Sequence, residues 1–287
     1  MAFQIKKAVI LAAGSGTRFL PYSRLVSKEF FPLGDRPMIE YIVEEVFLSG
    51  IEEIIFVLNP DKQQLVNYIS YFQNDETAIE KLKSKNNKKL LEDYCRLKRI
   101  LKKITISYVY QEIPRGDGDA VLKARSLLKK DEPIAVLFCD DIIYSKKEPG
   151  LKQLINVFQK KKKPVFGLSR VRREKISSYG IVKGEKVGNK IYLIKGVVEK
   201  PKLTDAPSNL AIIGKYILTS KVLDYLQRID EKQGDEIRIA GALKNMIKDK
   251  NKVFGCEFDG IWLECGTKED WLRSNFFITE KMLKHET

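Results

Sequence analysis

Residues 8 to 37 read Ala8-Val-Ile-Leu-Ala-Ala-Gly14-Ser-Gly-Thr-Arg18-Phe-Leu-Pro-Tyr-Ser-Arg24-Leu-Val-Ser-Lys28-Glu-Phe-Phe-Pro-Leu-Gly-Asp-Arg-Pro37, an apolar strand followed by a glycine-rich, basic loop and a helix start. Ala8 to Ala13 is apolar without alternation, the pattern of a parallel strand covered on both faces. Gly14 and Gly16 allow a sharp turn that brings free backbone N–H groups close to an anion, and Arg18 and Lys28 add positive charge. The loop has neither the Gly-Lys-Ser/Thr ending of a P-loop nor the third glycine of a dinucleotide fingerprint. The glycines alone fit a plain structural turn equally well; with the cations they point to bound phosphate.

Working outward, strand-like and helix-like segments alternate, as in a parallel sheet flanked by helices. Asp35 and Pro37 open a helix predicted to run to about Ser49, with Gly50 closing it. Glu53 to Leu58 returns as a strand. Asp61 to Phe72 and Thr77 to Leu101 read as a helical insertion, at about residues 61–103, before a strand at Ile104 to Tyr110. A helix from Ala120 to Leu128 and a strand from Ile134 to Phe138 then deliver Asp140 and Asp141 to a strand's carboxyl end, where open α/β sheets place their ligands. Strands are expected at 164–171, 181–187, 191–198 and 210–218, the second and third as a hairpin around Gly188-Asn189. Helices follow at 221–228, 236–248 and 268–283. We read one continuous domain with two functional lobes, residues 1–150 and 151–287.

The chain has 287 residues, 44% of them hydrophobic, enough for a substantial core. No apolar run reaches membrane-spanning length, and Met-Ala-Phe-Gln-Ile-Lys-Lys lacks the core of a signal peptide, so a cytoplasmic protein is expected, with no membrane partner. Cys95, Cys139, Cys256 and Cys265 are scattered without a Cys-x-x-Cys pair, which excludes a zinc ribbon. With 52 Lys+Arg against 38 Asp+Glu, the formal net charge is +14. The densest runs are Lys81 to Lys103 and Lys160 to Lys163. The first interleaves Leu90, Leu97, Ile100 and Leu101 at helical spacing, so its lysines read as the solvated face of an amphipathic helix, with no nucleic acid as partner.

The single histidine, His285, sits in the terminal tail, which excludes histidine-based triads, dyads and metal sites. The chemistry must use carboxylates, lysines, arginines, backbone amides and a hard cation. A transfer to a phosphate nucleophile meets that restriction, because such a nucleophile is already anionic.

Gly-x-Gly-Thr-Arg-x-Leu-Pro followed by Lys-Glu-x-x-Pro-Leu resembles the signature of the sugar-1-phosphate nucleotidyltransferases, and the whole chain is most similar to their bacterial glucose-1-phosphate uridylyltransferase branch. Matching segments follow in the family's order: Gln111 with Gly116-Asp-Gly-Asp-Ala-Val121, Asp140-Asp141, Tyr179-Gly180, Val198-Glu-Lys-Pro201, Ala206-Pro-Ser-Asn-Leu210, Gly234-Asp-Glu-Ile237 and Trp262-Leu-Glu-Cys-Gly-Thr267. The resemblance implies an α/β, Rossmann-like nucleotidyltransferase fold with a mixed, mostly parallel central sheet. It implies UTP and glucose 1-phosphate as substrates, magnesium as cofactor, and a homo-oligomer, dimer or tetramer. Thymidylyl or another sugar specificity is the nearest alternative, and a non-catalytic sugar-nucleotide sensor a second.

Carried over residue by residue, the resemblance places Ala13, Gly14, Gly16 and Thr17 at the nucleotide, with Glu29 on its nucleoside side. Arg18 falls at the leaving pyrophosphate and Lys28 at the α-phosphate, and Gln111 and Gly116 read the pyrimidine edge. Gly180 and Glu199 hold the sugar and Lys200 its phosphate. Asp140 is the leading magnesium ligand, with Asp141 as helper and Glu264 in the place of the family's second acidic ligand, usually Asp. Departures are Ser23-Arg24 and Ser27 for the common Thr-Lys and Pro, and Asp119 for a histidine. Two readings of Asp119 stay open: a new contact beside the nucleotide, or a cap for the helix at Ala120. Asp235-Glu236 fits the family and fits a helix cap equally well.

Overall fold

The computed structural model describes residues 4–74, 76–85, 88–230 and 236–284. The opening strand β1 (Lys7–Ala12) is followed by a short ribbon, β2 (Pro32–Leu33) with β3 (Arg36–Pro37), then α1 (Met38–Leu48) and β4 (Glu53–Leu58). The insertion comprises α2 (Gln63–Asn74), α3 (Thr77–Ser84) and α4 (Lys88–Lys103), and leads into β5 (Thr105–Tyr110). Next come α5 (Asp117–Lys123), β6 (Ile134–Phe138), β7 (Asp141–Tyr144), α6 (Gly150–Lys161) and β8 (Val165–Arg170). The hairpin β9 (Gly180–Gly188) and β10 (Ile191–Glu199) precedes β11 (Leu210–Leu218), α7 (Ser220–Asp230), α8 (Ile239–Lys248), β12 (Phe254–Glu257), β13 (Ile261–Glu264) and α9 (Lys268–Leu283).

The described residues form a nine-stranded sheet in the order β5-β4-β1-β6-β11-β8-β12-β10-β9. Every strand runs in one direction except β10 and β11, so the sheet is mixed, as expected; four neighbouring pairs are parallel and four antiparallel, with the longest parallel run in β5-β4-β1-β6. β9 also touches β11 through Ile181 and Ala211, so the second half of the sheet curls back on itself.

The unbroken apolar run of β1 is explained by two cores. Ala8, Ile10 and Ala12 face α1, beside Ile54 and Phe56 of β4. Val9 and Ala13 face α5, α7 and α8, beside Ile55 and Val57. With both faces covered, no position is left for a polar alternate.

Several boundaries differ from the sequence reading. Pro37 is extended at the position before α1 and Met38 is the first helical residue, while Asp35 lies in the β2–β3 turn and caps nothing. Gly50 closes this unit at φ +85°, as expected. The amphipathic segment is split into α3 and α4; Leu97, Ile100 and Leu101 are buried, with most of the lysines outside. Lys160 and Lys161 occupy the last turn of α6, where cations complement the helix dipole. α5 starts at Asp117, earlier than predicted, and yields after Lys123 to a 3-10 turn. α6, β12 and the ribbon of β7 with β13 were not foreseen: β7 and β13 are four residues each, too short for a pattern, and pair across more than a hundred residues.

Candidate active site

The glycine-rich loop leaves β1 and turns at Gly16, φ +66°, into a 3-10 turn over Thr17–Phe19. Phe19, 1% exposed, anchors the turn edge-on against Phe31 at 5.0 Å, so its neighbour Arg18 stays exposed. Ala13, Gly14, Gly16, Thr17 and Arg18 line a cleft of about 490 Å³ with Lys28, Gln111, Gly116 and Asp140. Gly116 has φ +105°, and a Cβ there would lie 2.4 Å from the Ile237 carbonyl oxygen, so only glycine fits.

A second cleft, of about 560 Å³, is lined by Tyr179, Gly180, Glu199, Lys200, Trp262 and Glu264. Arg18, Phe138, Asp140 and Gly266 line both clefts. The two therefore meet at the carboxyl end of β6. Lys200 adopts φ +43° and its N–H donates to the Tyr179 carbonyl at 3.0 Å. Among the described residues, neither the Arg18 guanidinium nor the Lys200 ammonium has an ion-pair or hydrogen-bond partner. Lys28 differs: its Nζ donates to Asp140 Oδ2 at 2.6 Å. Burial pulls the Lys28 pKa down, but Asp140 and Glu29 outweigh it, and the ammonium stands above its ordinary value. The same attraction overcomes burial at Asp140 and holds that carboxyl below its usual range.

Asp141 serves the scaffold. Its Oδ1 accepts from Trp262 Nε1 at 2.7 Å and its Oδ2 from the Gly214 N–H at 2.9 Å. A Cβ on Gly214 would lie 2.5 Å from that oxygen, so the glycine lets β11 close on the site. Burial, then the Asp140 charge, push the Asp141 carboxyl upward. Glu264 stands opposite Asp141 in the β7–β13 ladder and accepts a hydrogen bond from the Tyr179 hydroxyl, with Lys175 Nζ at 3.9 Å. Burial raises its carboxyl.

One expectation is corrected, and one of the two readings of Asp119 is closed. Glu29 lines neither cleft: it is 1% exposed and paired with Lys62 at 2.8 Å, with its Oε2 buried and unpartnered. The turn at Lys28–Phe30 directs Glu29 into the protein while Lys28 reaches the cleft. Asp119 caps no helix, because it lies inside α5; its Oδ2 accepts from Gln111 Nε2 at 2.7 Å. Ser23 packs against the open face of Gly16, and no contact explains Arg24 or Ser27. Asp235 and His285 lie outside the described residues; Glu236 accepts from Arg238 rather than capping α8. Asp117, Lys175 and Arg238 also line the second cleft; Asp117 lies in a matching segment of the sequence, whereas Lys175 and Arg238 carry no local motif.

Asp117 joins the two halves. Its Oδ1 accepts from the Ile239 N–H at 2.7 Å, linking the start of α5 to the start of α8. Burial pushes its carboxyl up to about 6, against the opposing pull of that hydrogen bond and of Arg238. The folded protein then holds this proton more tightly than the unfolded chain does. The resulting stability, of order 2–3 kcal/mol, is fully present below the unfolded pKa and lost as pH rises through about 6. Asp117→Asn, in denaturant unfolding without ligand, is expected to flatten the stability profile between pH 4 and about 6. An unchanged slope would assign the pH dependence elsewhere.

Asp140 lines both clefts, and Glu264 lines the second. Among the described residues no group of three or more acidic, cysteine or histidine side chains encloses a metal. One or two carboxylates beside a phosphate cleft nevertheless suit magnesium, which takes its other oxygens from substrate phosphates and water.

Comparisons with known proteins identify the family. The nucleotidyl transferase family model matches residues 7–281. The UTP–glucose-1-phosphate uridylyltransferase of Staphylococcus haemolyticus is 39% identical over 285 residues, covering 99% of this chain and 96% of that protein. A Bacillus subtilis protein of the same name is 35% identical, covering 99% and 94%. The structure of a UDP-glucose pyrophosphorylase complexed with UDP-glucose superposes with a TM-score of 0.83 at 34% identity, covering 97% of this chain and 100% of that one. An apo-UDP-glucose pyrophosphorylase gives 0.87 at 32%, with the same coverage. The chain belongs to the nucleotidyl transferase family.

Proposed function

We propose that this protein transfers the uridylyl group of UTP to α-D-glucose 1-phosphate, forming UDP-glucose and pyrophosphate. The observation that carries the reading is the junction of two clefts at Arg18 and Asp140, with Lys28 on one side and an unpaired Lys200 on the other. The relatives' names supply the nucleotide and the sugar.

In this reading the loop N–H groups and Arg18 hold the triphosphate, and Lys28 moves from Asp140 to the α-phosphate as charge redistributes there. Gly180 and Glu199 orient the glucose, and Lys200 aligns its phosphate. A phosphate oxygen of the sugar forms a bond to the α-phosphorus while the bond to the pyrophosphate oxygen breaks in line. Positioning and charge supply the catalysis. No side chain need abstract a proton, which fits a chain with a single histidine. Asp140, with Glu264, would hold the magnesium ion, which when bound neutralises phosphate charge.

The two functional lobes, 1–150 and 151–287, belong to the same reading, although Glu236 and Gly266 reach the nucleotide cleft from the second. So do a homo-oligomer and a cytoplasmic setting. To these the described residues add only that no helix is long and apolar enough to cross a membrane.

A pyrophosphate-release assay over a matrix of nucleoside triphosphates and sugar 1-phosphates tests the proposal. UTP with glucose 1-phosphate is expected to give the highest kcat/KM. Preference for dTTP or another sugar would overturn the specificity, and absence of turnover with every pair would favour a sensor.

A further inference from the structure

The departure at Asp119 has a chemical consequence in the nucleotide cleft. Gln111 follows β5, with its backbone N–H held by the Leu58 carbonyl at 2.8 Å. Its side-chain Nε2 donates to Asp119 Oδ2 at 2.7 Å and to the Gly116 carbonyl at 3.0 Å. A carboxylate and a carbonyl only accept, so both amide hydrogens must face them and the amide cannot turn over. Asp119 is 3% exposed, and Lys123 Nζ at 3.7 Å from its Oδ1 balances its charge. Among the described residues, Oε1 of Gln111 has no protein donor. Among the described residues the buried side-chain polar atoms lacking a partner are Ser23 Oγ and Glu29 Oε2, so Gln111 Oε1 opens to the cleft that Gln111 lines.

We propose that Asp119 is a positioning residue for nucleobase selection: it locks the Gln111 amide so that the base meets a hydrogen-bond acceptor. A base offering a ring N–H, such as the imide of uracil or thymine, satisfies that acceptor. Cytosine presents a bare N3 in the same place, and two acceptors then face each other without a proton between them. The cost of leaving such groups unpaired supports strong discrimination. This inference rests on the UTP reading and explains how this chain, with aspartate at 119, rejects CTP.

The test compares UTP and CTP in wild type, Asp119→Asn and Asp119→Leu, by kcat/KM and by calorimetric binding of each nucleotide. Asparagine keeps the shape but can present its NH₂ to Gln111 Oε1, so that only the Gly116 carbonyl still opposes a turn of the amide toward cytosine N3. Leucine removes the Asp119 half of the lock without supplying a donor. The UTP:CTP ratio is expected to fall about tenfold or more in Asp119→Asn, and less in Asp119→Leu, while KM for glucose 1-phosphate stays within about twofold. A purely structural role would lower both nucleotides together. An unchanged ratio in the folded variants, or a proportional loss of UTP and CTP, overturns the proposal while wild-type UTP turnover keeps the functional reading intact. Failure of the wild type to use UTP would remove both.

Discussion

The Asp140→Asn enzyme is expected to lose a factor of about 10²–10³ in kcat, about 2.7–4 kcal/mol of transition-state stabilisation, while retaining its fold. Among the described residues, Asp140 is the carboxylate that both lines the two clefts and ion-pairs with a cation of the phosphate loop. Asparagine preserves size and keeps an oxygen for Lys28, but removes the negative charge that a hard cation requires. The backbone is unaffected, because the Asp140 carbonyl continues to accept from the Cys265 N–H at 2.8 Å. The measurement is initial rate against magnesium concentration, with denaturant unfolding as the control for folding. The deficit should be greatest at limiting magnesium. A near wild-type rate there would show that Asp140 only anchors Lys28 and that the cation is held elsewhere.

Lys215→Met is expected to destabilise the protein by about 3–5 kcal/mol, because it leaves a buried charge without its partner. Lys215 lies on β11, 0% exposed, and its Nζ donates to Glu45 Oε2 of α1 at 2.7 Å. The other oxygen of Glu45 accepts from the Leu151 N–H at 2.8 Å, at the start of α6. One ion pair thus joins a strand and two helices beneath the site. Methionine keeps most of the apolar stem, so the loss reports the charge rather than a cavity. Adding Glu45→Gln removes the stranded charge while retaining an acceptor for Leu151, and should recover much of the stability. Denaturant unfolding of the single and double variants checks this. A loss under about 1 kcal/mol for Lys215→Met would mean that water reaches Glu45 at little cost.

The sequence by itself determined the features whose causes are local. The unbroken apolar run of β1 required cover on both faces, and Glu53–Leu58 and Leu210–Leu218 were legible to the residue because β-branched and aromatic runs end at clear turn residues. The glycine-rich loop, its basic residues and the acidic pair after β6 were legible for the same reason: neighbours in the chain supply both the turn and the charge. Tertiary structure decided what depends on distant partners. Lys28 and Asp140 are 112 residues apart, and only the packing of the loop against the end of β6 pairs them. The turn at Lys28–Phe30 sent Glu29 to Lys62 instead of the cleft. Two readings of Asp119 stay open in the sequence, because its partner, Gln111, is set by how β5 meets α5. The hydrogen bonds that Asp141 makes with Trp262 and Gly214, and Glu264 with Tyr179, are set by the pairing of β7 and β13 across more than a hundred residues. A side chain's identity is written in the sequence, but the direction in which it spends its hydrogen bonds is fixed by the elements that pack around it.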